Sequence, residues 1–207
     1  SLTPKAAYRL LELARERDVR IIEDDIYADF QEGPATRLAT LDSEQRVIYL
    51  ASFSKTLSSS LRVGYLVADE DLIARLAELK MVSGIGNSRF AEQVVAQMLA
   101  NGSYRKSVQR LRVRLGQHMA KLLGQLEGYG WQVFCEPYGG MFVWARVPGR
   151  DFASLERLAL EHAVLLTPGS AFDVQGAASD WLRINVAYGQ DQRAQAFLQH
   201  AGRPSAA

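Results

Sequence analysis

The stretch SFSKTLSSSLRVG, residues 52–64, joins two apolar runs that we predict to be strands, and it places Lys55 just beyond the first run. Ligands of open α/β sheets bind outside the carboxyl ends of the strands, so a ligand is expected near Lys55. A desolvated lysine can form a Schiff base. Two serine hydroxyls and one guanidinium, those of Ser52, Ser54 and Arg62, could hold a phosphate. The alternative is a serine-rich loop with a solvated lysine.

The preceding strand candidate lies in residues 19–30, VRIIEDDIYADF. Its apolar front and acidic end predict a buried strand that runs into a functional loop. Adjacent acids at such a point are costly unless they have a partner. A carboxylate there could pair with the ring nitrogen of a cofactor and keep it protonated, and the Tyr27 hydroxyl could bind a ring hydroxyl. The alternative is an acidic turn on the surface.

A third polar position lies near the end of the chain, in WLRINVAY, residues 181–188. Arg183 is placed between apolar neighbours of a predicted strand, and a buried guanidinium requires an anionic partner. It could bind a substrate carboxylate through two parallel hydrogen bonds. An internal salt bridge to one of the chain's own acids is the alternative.

The segments around these positions alternate between helical and extended patterns. Residues 1–19 predict a helix with Thr3 as N-cap and Pro4 in the first turn. A helix followed by three strands, in residues 19–30, 46–55 and 61–69, predicts an α/β layer with parallel pairing.

The second half of the chain predicts a small α+β domain. Two long helices come first, followed by further strands, including a short one over residues 164–169, and two more helices. We therefore divide the chain into residues 1–100, part of a large domain with a mostly parallel sheet, and residues 101–207, a small C-terminal domain.

Composition narrows the function classes. A net charge of +1 gives no overall electrostatic case for binding nucleic acid or a membrane. No stretch is apolar enough to span a bilayer, and Cys135 is the only cysteine, which favours a reducing compartment. We expect a cytoplasmic protein. The three histidines are scattered without metal-ligand spacing, so no metal site is predicted.

Taken together, the motifs resemble those of the pyridoxal-phosphate (PLP) dependent aminotransferases of fold type I. The resemblance covers nearly the whole chain. It is closest to the aminotransferase-like domain of the MocR subgroup of GntR-type transcriptional regulators, and to aminoadipate and kynurenine aminotransferases. The motifs that carry it, in chain order, are EDDIYADF (23–30), SFSK (52–55), LRVG (61–64), GGMFVW (139–144) and LRINVA (182–187).

The resemblance implies a role for each candidate residue. Lys55 resembles the lysine that binds PLP as a Schiff base, and Arg183 resembles the arginine that binds the substrate α-carboxylate. Asp24 resembles the aspartate at the pyridine nitrogen, with Asp25 as the next choice. Tyr27 resembles the tyrosine at the ring hydroxyl. The residues that resemble the phosphate ligands are Ser52, Ser54 and Arg62.

The resemblance also implies a function, namely amino-group transfer between an amino acid and a 2-oxo acid. The alternative is a PLP- and amino-acid-sensing domain of a MocR-type regulator with little or no turnover. The motifs match only the C-terminal half of the family pattern, so we expect the 207 residues alone to be inactive. The intact protein is expected to be a homodimer, and to contact DNA only through a domain further upstream.

Overall fold

A computed structural model describes residues 2–31, 35–43, 45–84, 86–137 and 139–202. Ser1 and residues 203–207, which the sequence analysis assigned to the first helix and the small domain, lie outside the described residues. The chain forms two compact units, Ser1–Leu111 and Arg112–Ala207, and the division falls inside one long helix. Within the described part of the chain, no helix is both long and apolar enough to cross a membrane.

The first unit begins with helix α1, Pro4–Glu16, as predicted. The Thr3 side chain accepts a hydrogen bond from the Ala6 amide at 3.3 Å, and proline occupies the first turn, where its missing N–H costs nothing. The elements that follow are β1 (Ile21–Asp24), α2 (Leu38–Leu41), β2 (Val47–Ser52), β3 (Gly64–Val67), α3 (Glu70–Gly84) and α4 (Arg89–Ala100).

The first sheet has the order β1-β2-β3. Parallel pairing is confirmed for β1 and β2, where Asp24 is opposite Leu50. It is wrong for β2 and β3, which pair antiparallel, with Ser52 opposite Gly64. The physical reason lies in the connection, because a parallel neighbour requires a crossover of a dozen or more residues, usually a helix. The segment between Ser52 and Gly64 is shorter than such a crossover and contains only the 3₁₀ turn Ser59–Leu61 as regular structure. The chain therefore reverses direction, and β3 pairs antiparallel beside β2.

The core of the first unit consists of small clusters. Ala7 of α1 packs with Leu38 and Val47. A second cluster joins Val63 to Ala91 and Val95 of α4. Helix α3 has no buried residue among those that the structure describes.

The second unit contains most of helix α5 (Ser103–Gly128) and an antiparallel sheet of order β4-β5-β6. Its elements are β4 (Gln132–Val133), β5 (Phe142–Arg146), α6 (Phe152–Glu161), β6 (Leu182–Asn185) and α7 (Gln192–Gly202). The predicted strand over residues 164–169 is wrong, because only an isolated bridge from Pro168 to Leu182 forms there. Proline has no amide hydrogen to extend the ladder.

The core of the second unit contains large side chains. The Trp131 indole donates to the Leu198 carbonyl oxygen at 2.9 Å, which ties the start of β4 to α7. The largest fully buried side chains of the described chain all belong to this unit: Phe197, Leu122, Leu126, Leu155, Leu182, Val143 and Val186.

Candidate functional site

Three strand ends meet at one edge of the first sheet. Because β1 and β2 run parallel, Asp24 and Ser52 end their strands on the same side. Because β3 runs antiparallel and Gly64 pairs with Ser52, β3 begins there as well. The Phe53 amide donates to the Val63 carbonyl at 3.0 Å, which extends the pairing beyond the sheet. The site residues predicted in the first unit therefore lie at this edge of the sheet or in the loops that begin there. They are Asp24, Tyr27, Ser52, Ser54, Lys55 and Arg62.

Lys55 lies in the turn that follows β2. Its ammonium nitrogen is 5.9 Å from the centroid of the Tyr27 ring, so the lysine and tyrosine that the sequence analysis singled out are neighbours. The Lys55 side chain is exposed in the first unit, whereas the sequence argument assumed a desolvated lysine. The difference arises because the described residues of this unit leave the edge of the sheet open.

The turn that carries Lys55 is held by a hydrogen-bonded chain that the sequence analysis missed. Thr56, the next residue, is 6% exposed, and its hydroxyl lies 3.1 Å from the Tyr104 hydroxyl of α5. Tyr104 in turn donates a short hydrogen bond to Asp29. Burial, followed by the hydrogen bond to Asp29, raises the pKa of Tyr104, which keeps it a donor. These hydrogen bonds connect the Lys55 turn to the segment just after Tyr27.

The two adjacent aspartates at the end of β1 differ in their partners. The Asp25 carboxylate accepts from the Arg37 guanidinium at 2.6 Å and from the Tyr49 hydroxyl at 3.0 Å. Burial, with the hydrogen bond to Asp25 as the next cause, raises the pKa of Tyr49 to about 12. Asp24 is exposed and accepts only from the Ile26 amide, at 3.3 Å, among the residues that the structure describes. Asp24 therefore has the carboxylate with capacity for a ligand.

The three predicted phosphate ligands lie on the connection between β2 and β3. Ser52 and Ser54 are neighbours, because the Ser54 amide donates to the Ser52 hydroxyl at 3.1 Å. Arg62 ends the 3₁₀ turn with φ 53° and ψ 36°, a left-handed conformation that costs a residue other than glycine about 1–3 kcal/mol. Its side chain is exposed and forms no ion pair within the described ranges.

Gly64 closes this connection for a steric reason. A Cβ atom at residue 64 would lie 2.7 Å from the Ala51 carbonyl oxygen, a backbone atom that cannot move without opening the β2–β3 pairing. The glycine of the LRVG motif thus lets β3 start close to the end of β2. It keeps Arg62 beside the edge that carries Ser52.

Arg183 occupies a separate site in the second unit. Its guanidinium carbon is 4.3 Å from the centroid of the Phe142 ring and 4.7 Å from that of Phe172. Trp144, which pairs with Arg183 in the sheet, contacts the Phe172 ring edge to face at 5.3 Å. No acid of the described chain forms a salt bridge with Arg183.

The aromatic contacts of Arg183 leave the N–H groups of its guanidinium able to donate hydrogen bonds. Aromatic faces stabilise the cation without using its N–H donors. Neither phenylalanine was predicted from the sequence as a partner of Arg183. Phe142 lies in the quoted motif GGMFVW, which was the only available signal, and Phe172 lies in an unremarkable stretch.

Solved structures that this chain resembles include aminotransferases complexed with PMP or with a phosphopyridoxyl amino acid. Pyrococcus horikoshii kynurenine aminotransferase, solved in complex with PMP, matches with a TM-score of 0.88 and 28% identity over 97% of this chain and 51% of its own. The α-aminoadipate aminotransferase LysN from Thermus thermophilus, complexed with N-(5'-phosphopyridoxyl)-L-leucine, matches with a TM-score of 0.80 and 30% identity. The match covers 98% of this chain and 53% of LysN. The predicted fold class is confirmed.

The chain belongs to the family described as Aminotransferase class I and II, whose profile matches residues 1–200. Among curated proteins it is 35% identical to the HTH-type transcriptional regulator NorG of Staphylococcus aureus (strain USA300), over 97% of this chain and 45% of that protein. It is 31% identical to the uncharacterized HTH-type transcriptional regulator YdfD of Bacillus subtilis (strain 168), over 90% of this chain and 39% of that protein. The chain thus spans less than half of these relatives and about half of the matched structures. The predicted family is confirmed.

Proposed function

We propose that the protein to which this chain belongs is a PLP-dependent aminotransferase, with Lys55 as the residue that binds the cofactor covalently. The observation that carries the proposal is the convergence of three strand ends at one sheet edge, with Lys55 beside Tyr27. In this proposal residues 1–100 belong to the cofactor-binding large domain and residues 101–207 to the small C-terminal domain.

The donors at this edge fit a phosphorylated, aromatic aldehyde. A phosphate is an anion with several acceptor oxygens, and it suits two neighbouring hydroxyls and an arginine without a carboxylate partner. Ser52, Ser54 and Arg62 supply these groups. Lys55 supplies the amine for the aldehyde, and the Tyr27 hydroxyl is assigned to the ring hydroxyl.

When bound, PLP supplies an electron-withdrawing ring that stabilises negative charge developing at the substrate α-carbon. The chain's own residues tune and use that ring. Asp24 is assigned to hold a proton at the ring nitrogen, because its neighbour Asp25 is already bound to Arg37 and Tyr49. With PLP bound, the Lys55 amine would also serve as the base that takes the proton from the substrate α-carbon and gives a proton back.

Arg183 is the proposed ligand for the α-carboxylate of an amino acid or a 2-oxo acid. The support is its contact with the Phe142 and Phe172 rings together with the lack of an acidic salt-bridge partner in the described part of the chain. A planar fork held by two rings is pre-organised for two parallel hydrogen bonds.

A second candidate function is ligand sensing. The support is the identity of 31–35% to HTH-type transcriptional regulators. In this version the same residues bind PLP and an amino compound, turnover is weak or absent, and a separate upstream domain contacts DNA. In both versions we propose a homodimer that works in the cytoplasm.

The test is an absorbance spectrum of the full-length protein purified with PLP, beside its Lys55→Ala variant. Lys80→Ala, at an exposed lysine of α3, is the matched control. We expect a near-visible band in the wild type and in the control, and its loss in Lys55→Ala. A band of equal intensity in all three proteins would contradict the assignment. Steady release of 2-oxo acid, after an amino acid is added together with a second 2-oxo acid as amino acceptor, favours the enzyme, whereas a spectral shift without turnover under the same conditions favours the sensor.

A further inference from the structure

Two of the three histidines come together in the second unit, although they are 38 residues apart in the sequence. His162 follows the last residue of α6 and forms its C-cap, and His200 lies in the last turn of α7. The Nε2 atom of His162 is 3.3 Å from the Nδ1 atom of His200. The two rings are perpendicular, with an interplanar angle of 89°.

We propose that His162 and His200 form a binding site for a divalent transition-metal ion of the kind that prefers imidazole, with Zn²⁺ as its representative. A tetrahedral zinc ion with Zn–N distances of about 2.0–2.1 Å holds two imidazole nitrogens about 3.3 Å apart. The two nitrogens are already at this separation in the protein, where they form a hydrogen bond whose proton the ion would displace. The proposal concerns a site other than the one assigned to PLP and the substrate.

The surroundings of the pair favour a cation. Helix C-termini carry partial negative charge, and both α6 and α7 end at this point. The two helices pack against each other, which fixes the separation of their ends. A cation at the pair would interact favourably with both helix ends at once.

The His162 ring is also restrained by packing. It contacts the Phe197 ring at a centroid distance of 6.4 Å, and Phe197 is among the most buried side chains of the unit. His200 is exposed, and its neighbourhood is open to water. Part of the pair is thus held in place, while a dissolved ion can reach it.

The site offers two protein ligands. Within the residues that the structure describes, no group of three or more His, Cys, Asp or Glu side chains is arranged to hold a metal ion. Water fills the remaining coordination positions in this proposal. Such a site binds its ion reversibly, unlike a structural zinc centre with four protein ligands.

The test is calorimetric titration of the 207-residue chain with ZnCl₂ alone. Every protein carries Cys135→Ser, because the exposed Cys135 thiol would bind zinc independently. We expect one saturable site in this background and at least a tenfold loss of affinity in His162→Ala and in His200→Ala. His118→Ala, the third histidine, is the matched control and is expected to bind within threefold of the background. Equal affinity in all four proteins, or no saturable binding, would overturn the proposal.

A second measurement keeps the test decisive if a variant folds poorly. With only three histidines, the imidazole resonances of the unsubstituted pair can be followed by NMR. Zinc is expected to shift the signals of His162 and His200 together, at one stoichiometric endpoint, and to leave His118 unchanged. Shifts at neither paired histidine, or equal shifts at all three, would refute the site.

Discussion

The two units of this chain differ in how much of their own interior they build. The second unit fully buries large side chains such as Phe197, Leu122 and Leu126. The first unit relies on small clusters such as Ala7, Leu38 and Val47, and its helix α3 exposes Leu79 and other apolar residues. Hydrophobic stabilisation scales with the apolar area removed from water. The second unit is therefore expected to be the more stable of the two.

The same contrast applies to the two candidate sites. The Arg183 guanidinium contacts the Phe142 and Phe172 rings within its own unit, so two aromatic contacts restrain it before any ligand binds. Lys55 is positioned by the Thr56–Tyr104 hydrogen bond but stays exposed. Packing within the second unit thus restrains Arg183, the proposed carboxylate ligand. The sheet edge beside Lys55, where we propose that the cofactor binds, stays open in the first unit.

The largest expected effect is on stability, and it tests the contrast between the cores directly. Phe197→Ala should destabilise the chain by about 3–5 kcal/mol, because it leaves a cavity in the second unit. Leu79→Ala on α3, where the side chain is 62% exposed, should change the free energy of unfolding by less than about 0.5 kcal/mol. Urea unfolding followed by circular dichroism measures both. Comparable losses would mean that α3 is packed as tightly as the core.

A pair of glycine substitutions should give effects of opposite sign. Gly64→Ala brings a Cβ atom against the Ala51 carbonyl and should cost about 1–3 kcal/mol. Gly124→Ala lies within helix α5 with nothing within 4 Å of the added Cβ, and it should stabilise by about 0.5–1 kcal/mol. The same unfolding experiment reports both. If Gly64→Ala were neutral, the close approach of β2 and β3 would be wrong.

Removal of the Tyr104 hydroxyl should have a moderate effect confined to the first unit. Tyr104→Phe leaves Asp29 and Thr56 without this partner and should cost about 1–2 kcal/mol. Tyr8→Phe, at a tyrosine that is 59% exposed, is the control and should be nearly neutral. Hydrogen exchange should show faster opening of the Lys55 turn in Tyr104→Phe only. Unchanged exchange there would show that the turn is held by other contacts.

The smallest expected effect concerns the carboxylate site. Phe172→Leu in the full-length protein removes one ring from Arg183, a contact that contributes about 0.5–1 kcal/mol at an exposed position. The amino-acid concentration at half-saturation should rise about two- to fivefold, the equivalent of that energy. Phe134→Leu, whose ring contacts Trp181, is the control and should bind normally. Equal binding by both variants would show that the stacking does not orient Arg183.

Local sequence patterns were sufficient to predict much of the fold. The Thr3–Pro4 start of α1 and the strands around Lys55 follow from capping and hydrophobic periodicity, and the motif order predicted the family. The direction of the β2–β3 pairing was wrong, because it depends on how the chain crosses the sheet rather than on strand composition. The strand over residues 164–169 was wrong because Pro168 allows only one bridge.

The contacts that the sequence could not reveal join residues far apart in the chain. Thr56 meets Tyr104 across 48 residues, and Tyr104 meets Asp29 across 75. The aromatic pair around Arg183 and the pair of His162 with His200 are of the same kind. Such partners are chosen by tertiary packing, and no local pattern encodes them.

Chemical trapping shows whether Lys55 binds the cofactor covalently. The full-length protein is incubated with PLP, reduced with borohydride and digested, and the modified lysine is identified by peptide mass. We expect a pyridoxyl adduct on the peptide that contains Lys55. An adduct concentrated on other lysines of the chain (Lys5, Lys80, Lys106 or Lys121), or no adduct at all, would contradict it.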